Sequence, residues 1–154
     1  MTAQPELAVR SFREEDQAEV SLLINQNLSQ RFGVVDPQMN PDLIDISLSY
    51  PEGAFLVACA RGKIVGTGAL ITETRSVGRI VRMHTSSQVR RQGIGRRLLD
   101  ELEARATAAG FKELVLETTD DWFDAISFYL ACGFKETGRQ DGEIHFMKPL
   151  ASIG

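Results

Sequence analysis

With 154 residues the chain is long enough for a hydrophobic core of its own and is expected to form one domain over residues 1–154. A formal net charge of −4 and a sequence pI of about 5.2 argue against a general nucleic-acid binder, which needs a basic face. No apolar run approaches membrane-spanning length, and the opening MTAQPELAVRSFREED lacks a signal peptide's apolar core, so a cytoplasmic protein with no membrane partner is expected.

In chain order, Leu7 to Phe12 alternates apolar and polar residues and predicts a strand. Glu14, Glu15 and Asp16 place acids in a first helical turn, and that helix continues to about Leu28. Ser29 to Pro41 holds Gly33, Pro37 and Pro41 and reads as loop, with a short second helix over Asp42 to Leu48. Ala54 to Ala60 and Ile64 to Thr72 predict an antiparallel pair joined at Arg61-Gly62-Lys63. Ser76 and Gly78 read as a turn before the strand Arg79 to Thr85.

The next helix runs from about Gly93 to Ala109, its apolar stripe built from Ile94, Leu98, Leu99, Leu102, Ala106 and Ala109. Glu113 to Thr118 is a strand, and Asp120 and Asp121 are N-cap candidates for a helix from Trp122 to about Ala131. Phe134 to Thr137 and Glu143 to Lys148 close the chain as a strand pair around Gln140-Asp141-Gly142. Early hairpins, one β-helix-β unit and a final pair of strands make an α+β layered fold rather than a doubly wound sheet. Cys59 and Cys132 lie in apolar segments without Cys-x-x-Cys spacing and read as small buried hydrophobes in a reducing compartment.

The run VRRQGIGRRLLDEL, Val89 to Leu102, joins an arginine- and glycine-rich turn to the start of an amphipathic helix. Helix starts leave backbone N–H groups unpaired at the positive end of the dipole, glycines let a ligand approach them, and arginines add charge. The chemistry suits a phosphate or pyrophosphate. A nucleotide P-loop fails, because the Gly62-Lys63 pair is followed by Ile64. A dinucleotide fingerprint fits Gly93 and Gly95 but meets Leu98 where its third glycine belongs, and the approach from Thr85 is long.

Arg90-Arg91-Gln92-Gly93-Ile94-Gly95 resembles the Gln/Arg-x-x-Gly-x-Gly/Ala signature of the GNAT superfamily of acetyl-CoA-dependent N-acetyltransferases. Ala125-Ile126-Ser127-Phe128-Tyr129-Leu130-Ala131-Cys132-Gly133-Phe134 is similar to its second motif, and the resemblance covers nearly the whole chain. It implies a three-layer α+β fold with a splayed, mixed, largely antiparallel sheet of six to seven strands and about four helices. It also implies acetyl-CoA as co-substrate, with the amides of Arg91, Gln92, Gly93, Ile94, Gly95 and Arg96 holding the pyrophosphate and the arginines, Arg90 among them, adding charge. Backbone groups around Met83, His84 and Thr85 would pair with the pantetheine arm like an added strand. The family often carries an asparagine at the position of Trp122, a departure that bears on one coenzyme A contact.

Acetyl transfer needs a neutral amine to attack the thioester and an acid to protonate the departing thiolate. Tyr129 matches the tyrosine that resembling enzymes use as that acid, and an ordinary phenol is protonated at neutral pH. Some members carry a glutamate at the position of Arg79, but arginine stays protonated and cannot act as base. Glu117 is then the best carboxylate for the base, directly or through water, against the plainer reading of an ion-paired glutamate. Glu73 is a weaker candidate, and strand alternation makes His84 a packed histidine. No His-Glu-x-x-His or clustered Cys/His spacing suggests a metal. The resemblance implies that the acceptor, a small-molecule or peptide amine, is met by the first two helices and their loop, Gln30 to Pro37, along with the late strands, and a homodimer stays open. An acyl-CoA-binding regulator with little catalysis is the alternative function.

Overall fold

The computed structural model describes residues 7–89 and 92–151, with Pro37 described by its backbone alone. Seven strands, β1 (Leu7–Ser11), β2 (Phe55–Ala60), β3 (Lys63–Thr72), β4 (Val77–Thr85), β5 (Glu113–Thr119), β6 (Lys135–Gln140) and β7 (Glu143–Pro149), form one sheet in the order β1-β2-β3-β4-β5-β7-β6. Four α-helices accompany them: α1 (Gln17–Phe32), α2 (Ile46–Ser49), α3 (Ile94–Ala108) and α4 (Phe123–Ala131). The β1/β2, β2/β3, β5/β7 and β6/β7 pairs are antiparallel, whereas β4 and β5 are parallel. The β4/β5 register spans three pairs, Val77 with Glu113, Gly78 with Leu114 and Arg79 with Val115. The mixed, largely antiparallel α+β architecture expected from the element order is the one observed.

The chain packs as two compact units. The first takes the described residues up to Ala69 together with Arg82–Leu102. Its core gathers Val20 and Ile24 from α1, Leu56 and Val57 from β2, and Leu98, Leu99 and Leu102 from α3, all with no exposed surface. Each such side chain contributes roughly 1.5–3 kcal/mol by leaving water. Close approach of α3 to β3 is possible because β3 carries glycine: a Cβ on Gly66 would stand 2.9 Å from both Ile94 and Leu98. The β2–β3 hairpin turns on Arg61 and Gly62 at φ of 52° and 76°, the two positive angles of a tight two-residue hairpin turn.

The second unit takes Leu70–Val81 and the described residues from Glu103 onward. Along β5 the burial alternates, with Leu114, Leu116 and Thr118 inside. They share a face with Ile144 and Phe146, register partners of Thr118 and Leu116. The opposite face of the pair carries Glu117 and its register partner His145.

Several boundaries differ from the pattern-based expectations, each for a local reason. The acidic run Glu14–Asp16 is a separate 3-10 turn, and α1 then continues to Phe32, a turn past Leu28, where Gly33 ends it. The predicted second helix breaks into a 3-10 turn, Pro41–Leu43, and the single turn of α2, capped by the Asp45 carboxylate accepting from the Leu48 N–H. Gly78 lies inside β4, not in a turn, because Leu70, Leu114 and Phe111 crowd its α-carbon and leave no room for a Cβ. Trp122 occupies the N-cap of α4 in place of Asp120 or Asp121, without a side-chain cap bond. Cys132 is buried and Cys59 half-buried, both as free thiols.

Candidate active site

The turn into α3 is opened by glycine. Gly93 sits at φ +81°, a conformation that L side chains rarely adopt, with open space where a Cβ would project. Among the described residues, the helical ladder of α3 is joined to the turn by the Arg97 N–H donating to the Gly93 carbonyl at 3.0 Å. Ile94 is 4% exposed and pins the helix start into the core of the first unit. A cleft of about 1310 Å³ opens there, lined among others by Gln88, Gln92, Gly93, Arg97, Arg61 and Lys63. Among the described residues its one acid, Glu19, is engaged by the Ile64 N–H at 2.7 Å, and Arg61, Lys63 and Arg97 give that lining an excess of positive charge. Arg90 and Arg91, expected to contribute amides and charge, lie outside the described residues.

The end of β4 is held in an unusual shape. Arg82 has φ +57°, a left-handed conformation for a side-chain-bearing residue inside a strand, which costs on the order of 1–3 kcal/mol. The fully buried Thr67 hydroxyl donates to the Arg82 carbonyl at 2.8 Å and holds the distortion. Next along the strand, Asn27 donates to the Thr85 carbonyl at 3.0 Å and lies 3.4 Å from His84 Nδ1. His84 is 9% exposed, a packed histidine as alternation indicates. Met83 packs beneath Gly68, where a Cβ would come within 2.6 Å of its sulfur.

The Arg82 side chain, which pattern reading passed over, organises a polar network. Its Nε and Nη2 donate to the two Asp42 oxygens at 2.9 and 2.6 Å, and Nη2 donates also to Asn40 Oδ1 at 3.1 Å. The Tyr50 hydroxyl donates to Asp42 Oδ2 at 2.6 Å. Burial alone would push Asp42 up, but Arg82 and Tyr50 outweigh it and hold the carboxyl below its usual value. Burial and then the Asp42 charge push the Tyr50 phenol up to about 12. The only sequence trace of this network is a charged residue in an apolar strand.

The second unit holds the two candidate catalytic side chains. Tyr129 on α4 is 8% exposed, with ring centroids of Phe128, Phe134 and Phe146 at 5.2, 5.8 and 6.1 Å. Burial raises its phenol well above the ordinary value, so it stays protonated at neutral pH. Glu117 on β5 accepts from Arg79 Nη1 through Oε2, while Arg79 Nε donates to Glu73 at 2.7 Å. Arg79 is therefore held above its ordinary value by the Glu73 bond and the Glu117 charge, against burial. Tyr129 packs on the Phe146 face of the β5/β7 pair and Glu117 projects from the other, so the two do not share a face. Among the described residues no group of three or more His, Cys, Asp or Glu side chains could hold a metal ion.

The acetyltransferase (GNAT) family is matched over residues 20–134. The IAA acetyltransferase of Azospirillum brasilense is 34% identical over 128 residues, covering 82% of this chain and 84% of that protein. Among solved structures, an acetyltransferase of the GNAT family from Staphylococcus aureus superposes with a TM-score of 0.84 at 22% identity, covering 95% of this chain and all of that one. The PaiA N-acetyltransferase of Thermoplasma acidophilum, solved in complex with coenzyme A, gives 0.80 at 17% identity over 94% of this chain and 99% of its own. The chain belongs to the acetyltransferase (GNAT) family and is an acyltransferase by that membership. It spans about half the length of the rat N-acetyltransferase 8 relatives it also matches. No helix among the described residues is long and apolar enough to cross a membrane.

Proposed function

We propose that this protein moves an acetyl group from acetyl-CoA to a primary amine of a small molecule or peptide. The observation that carries this reading is the start of α3, with Gly93 at φ +81° and open space where its Cβ would project. That geometry suits the pyrophosphate of coenzyme A, received by the amides of Gln92 to Arg96, with Arg90, Arg91 and Arg97 adding charge. Backbone groups at Met83 and Thr85 serve the pantetheine arm, and the Thr85 carbonyl brings the Asn27 amide to the same place. Coenzyme A bound to the Thermoplasma acidophilum enzyme supports the choice of co-substrate. The free thiols of Cys59 and Cys132 suit a reducing cytoplasm.

In the reaction a neutral amine attacks the thioester carbonyl, a C–N bond forms, and the C–S bond breaks. Tyr129, a phenol protonated at neutral pH, gives the departing thiolate its proton. Glu117 takes the amine proton, directly or through water, by its Oε1, since Arg79 occupies Oε2.

Gly93→Asp tests the reading. The new carboxylate fills the open side of the turn and repels the pyrophosphate, so the dissociation constant for coenzyme A measured by calorimetry should rise at least tenfold in a folded variant. Wild-type affinity would remove the anion site from the mechanism. Thiol release from acetyl-CoA against a panel of amines then separates an acetyltransferase from a protein that only binds the cofactor.

A further inference from the structure

The Arg82 network has a chemistry of its own. Asp42, the acid within it, is saturated: two guanidinium nitrogens and the Tyr50 hydroxyl claim both of its oxygens. A cationic group of an acceptor would therefore find no free carboxylate at Asp42. The guanidinium is not saturated. Nε and Nη2 hold Asp42 and Asn40 and the Tyr50 hydroxyl also lies against the guanidinium, whereas Nη1 takes part in none of the bonds to Asp42 or Asn40, and the side chain is 20% exposed. The network thus offers outward a planar N–H donor whose orientation is set by Asp42 and Asn40 and whose backbone is set by Thr67.

Its position narrows the ligand. Arg82 is absent from the lining of the cleft at the start of α3, so it is not a further contact for the phosphates proposed to bind there. It directly precedes Met83 in β4, so its α-carbon lies about 3.8 Å along the chain from the strand end assigned to the pantetheine arm. A donor fixed beside the reacting end of the cofactor faces the other substrate.

We propose that Arg82 reads a carboxylate on the acceptor, so that the substrate class is an amine carrying an acid: a free amino acid or similar small amino-carboxylate. This rests on the acetyltransferase reading above. Asp42, Asn40 and Tyr50 are positioning residues that present the guanidinium, and Arg82 binds the acid without taking part in bond making. A carboxylate is preferred over a neutral carbonyl because a charge-assisted bond to guanidinium is shorter and stronger.

The test uses the full chain with acetyl-CoA and compares thiol release for the common amino acids with that for their carboxamides. For the amino acids that react, kcat/KM should exceed that of the matched amide at least tenfold, mainly through KM. In Arg82→Gln that ratio should fall towards one, with the change in the KM of the amino acid and not of acetyl-CoA, and Arg82→Lys should restore part of it. Equal acid and amide rates in the wild type, turnover confined to amines without an acid, or an unchanged ratio in Arg82→Gln would each overturn the proposal. If Arg82→Gln does not fold, the wild-type ratio decides alone. Coenzyme A binding by calorimetry keeps the two readings apart. Without it the acetyltransferase reading fails, and with it a lack of turnover for every amino acid defeats only the carboxylate assignment.

Discussion

Tyr129 shows how a single side chain is prepared by its surroundings. Three phenylalanine rings pack round its ring, and burial disfavours the phenolate, so the phenol keeps its proton at neutral pH. Tyr129→Phe keeps the ring and loses the proton. It should lower kcat about 10²-fold, the usual scale of acid catalysis, and leave the coenzyme A dissociation constant within about twofold, as rapid-quench kinetics and calorimetry would show. Unchanged turnover would assign the protonation elsewhere. Glu117 makes the contrasting case. Its candidacy rested on elimination, and the structure pairs it with Arg79, the very residue that stands where other members carry a glutamate. Arg79 in turn holds Glu73, so the two carboxylates weighed as bases lie on one guanidinium.

At the scale of elements, helix α3 and strand β3 are fitted to one another through glycine. A methyl group at Gly66 would meet Ile94 and Leu98 at 2.9 Å and the His84 carbonyl at 3.2 Å, and the backbone carbonyl has little freedom to yield. Gly66→Ala should therefore destabilise by about 1–3 kcal/mol through overpacking. For a chain of this size that lowers Tm by roughly 2–4 °C per kcal/mol in a thermal melt. Because Ile94 opens α3, the displacement should also weaken coenzyme A binding. A variant as stable as the wild type would mean that α3 can slide without loss. The α3 stripe and the two hairpins were readable in advance because period and turn chemistry are local. Gly78 misled the reading for the opposite reason: its small size serves Leu70, Leu114 and Phe111, residues far away in sequence.

For the molecule as a whole, acid should act through a few paired carboxylates. Arg10 holds Asp16 below its usual value with bonds of 2.7 and 3.0 Å, and Asp42 is lowered in net by Arg82 and Tyr50 against its burial. A group depressed in the folded state binds fewer protons there than when unfolded. Its contribution is thus complete above the unfolded value of about 4 and is lost as pH falls through the folded value. From these groups Tm should be level between about pH 5 and 7 and drop below about pH 4. Asp16→Asn, which leaves Arg10 without its charged partner, should cost about 2 kcal/mol at pH 7 and flatten the acid limb, read from melts across the pH range. A limb as steep as that of the wild type would assign the acid sensitivity to other carboxylates.

What the sequence determined by itself was whatever depends on neighbours along the chain. The amphipathic run from Ile94, the Arg61-Gly62 and Asp141-Gly142 turns, and the glycines at the start of α3 are each specified within a few residues. From them followed the fold class and the expectation of an anion site. Tertiary structure decided which charges meet. Arg82 reaches Asp42 across 40 positions, Arg79 reaches Glu117 across 38, and Asn27 reaches Thr85 across 58. No periodicity encodes such pairs, because a long side chain on a strand can face many partners until packing chooses one. The positive φ at Arg82 is of the same kind: a local cost that Thr67 and Asp42 together hold in place.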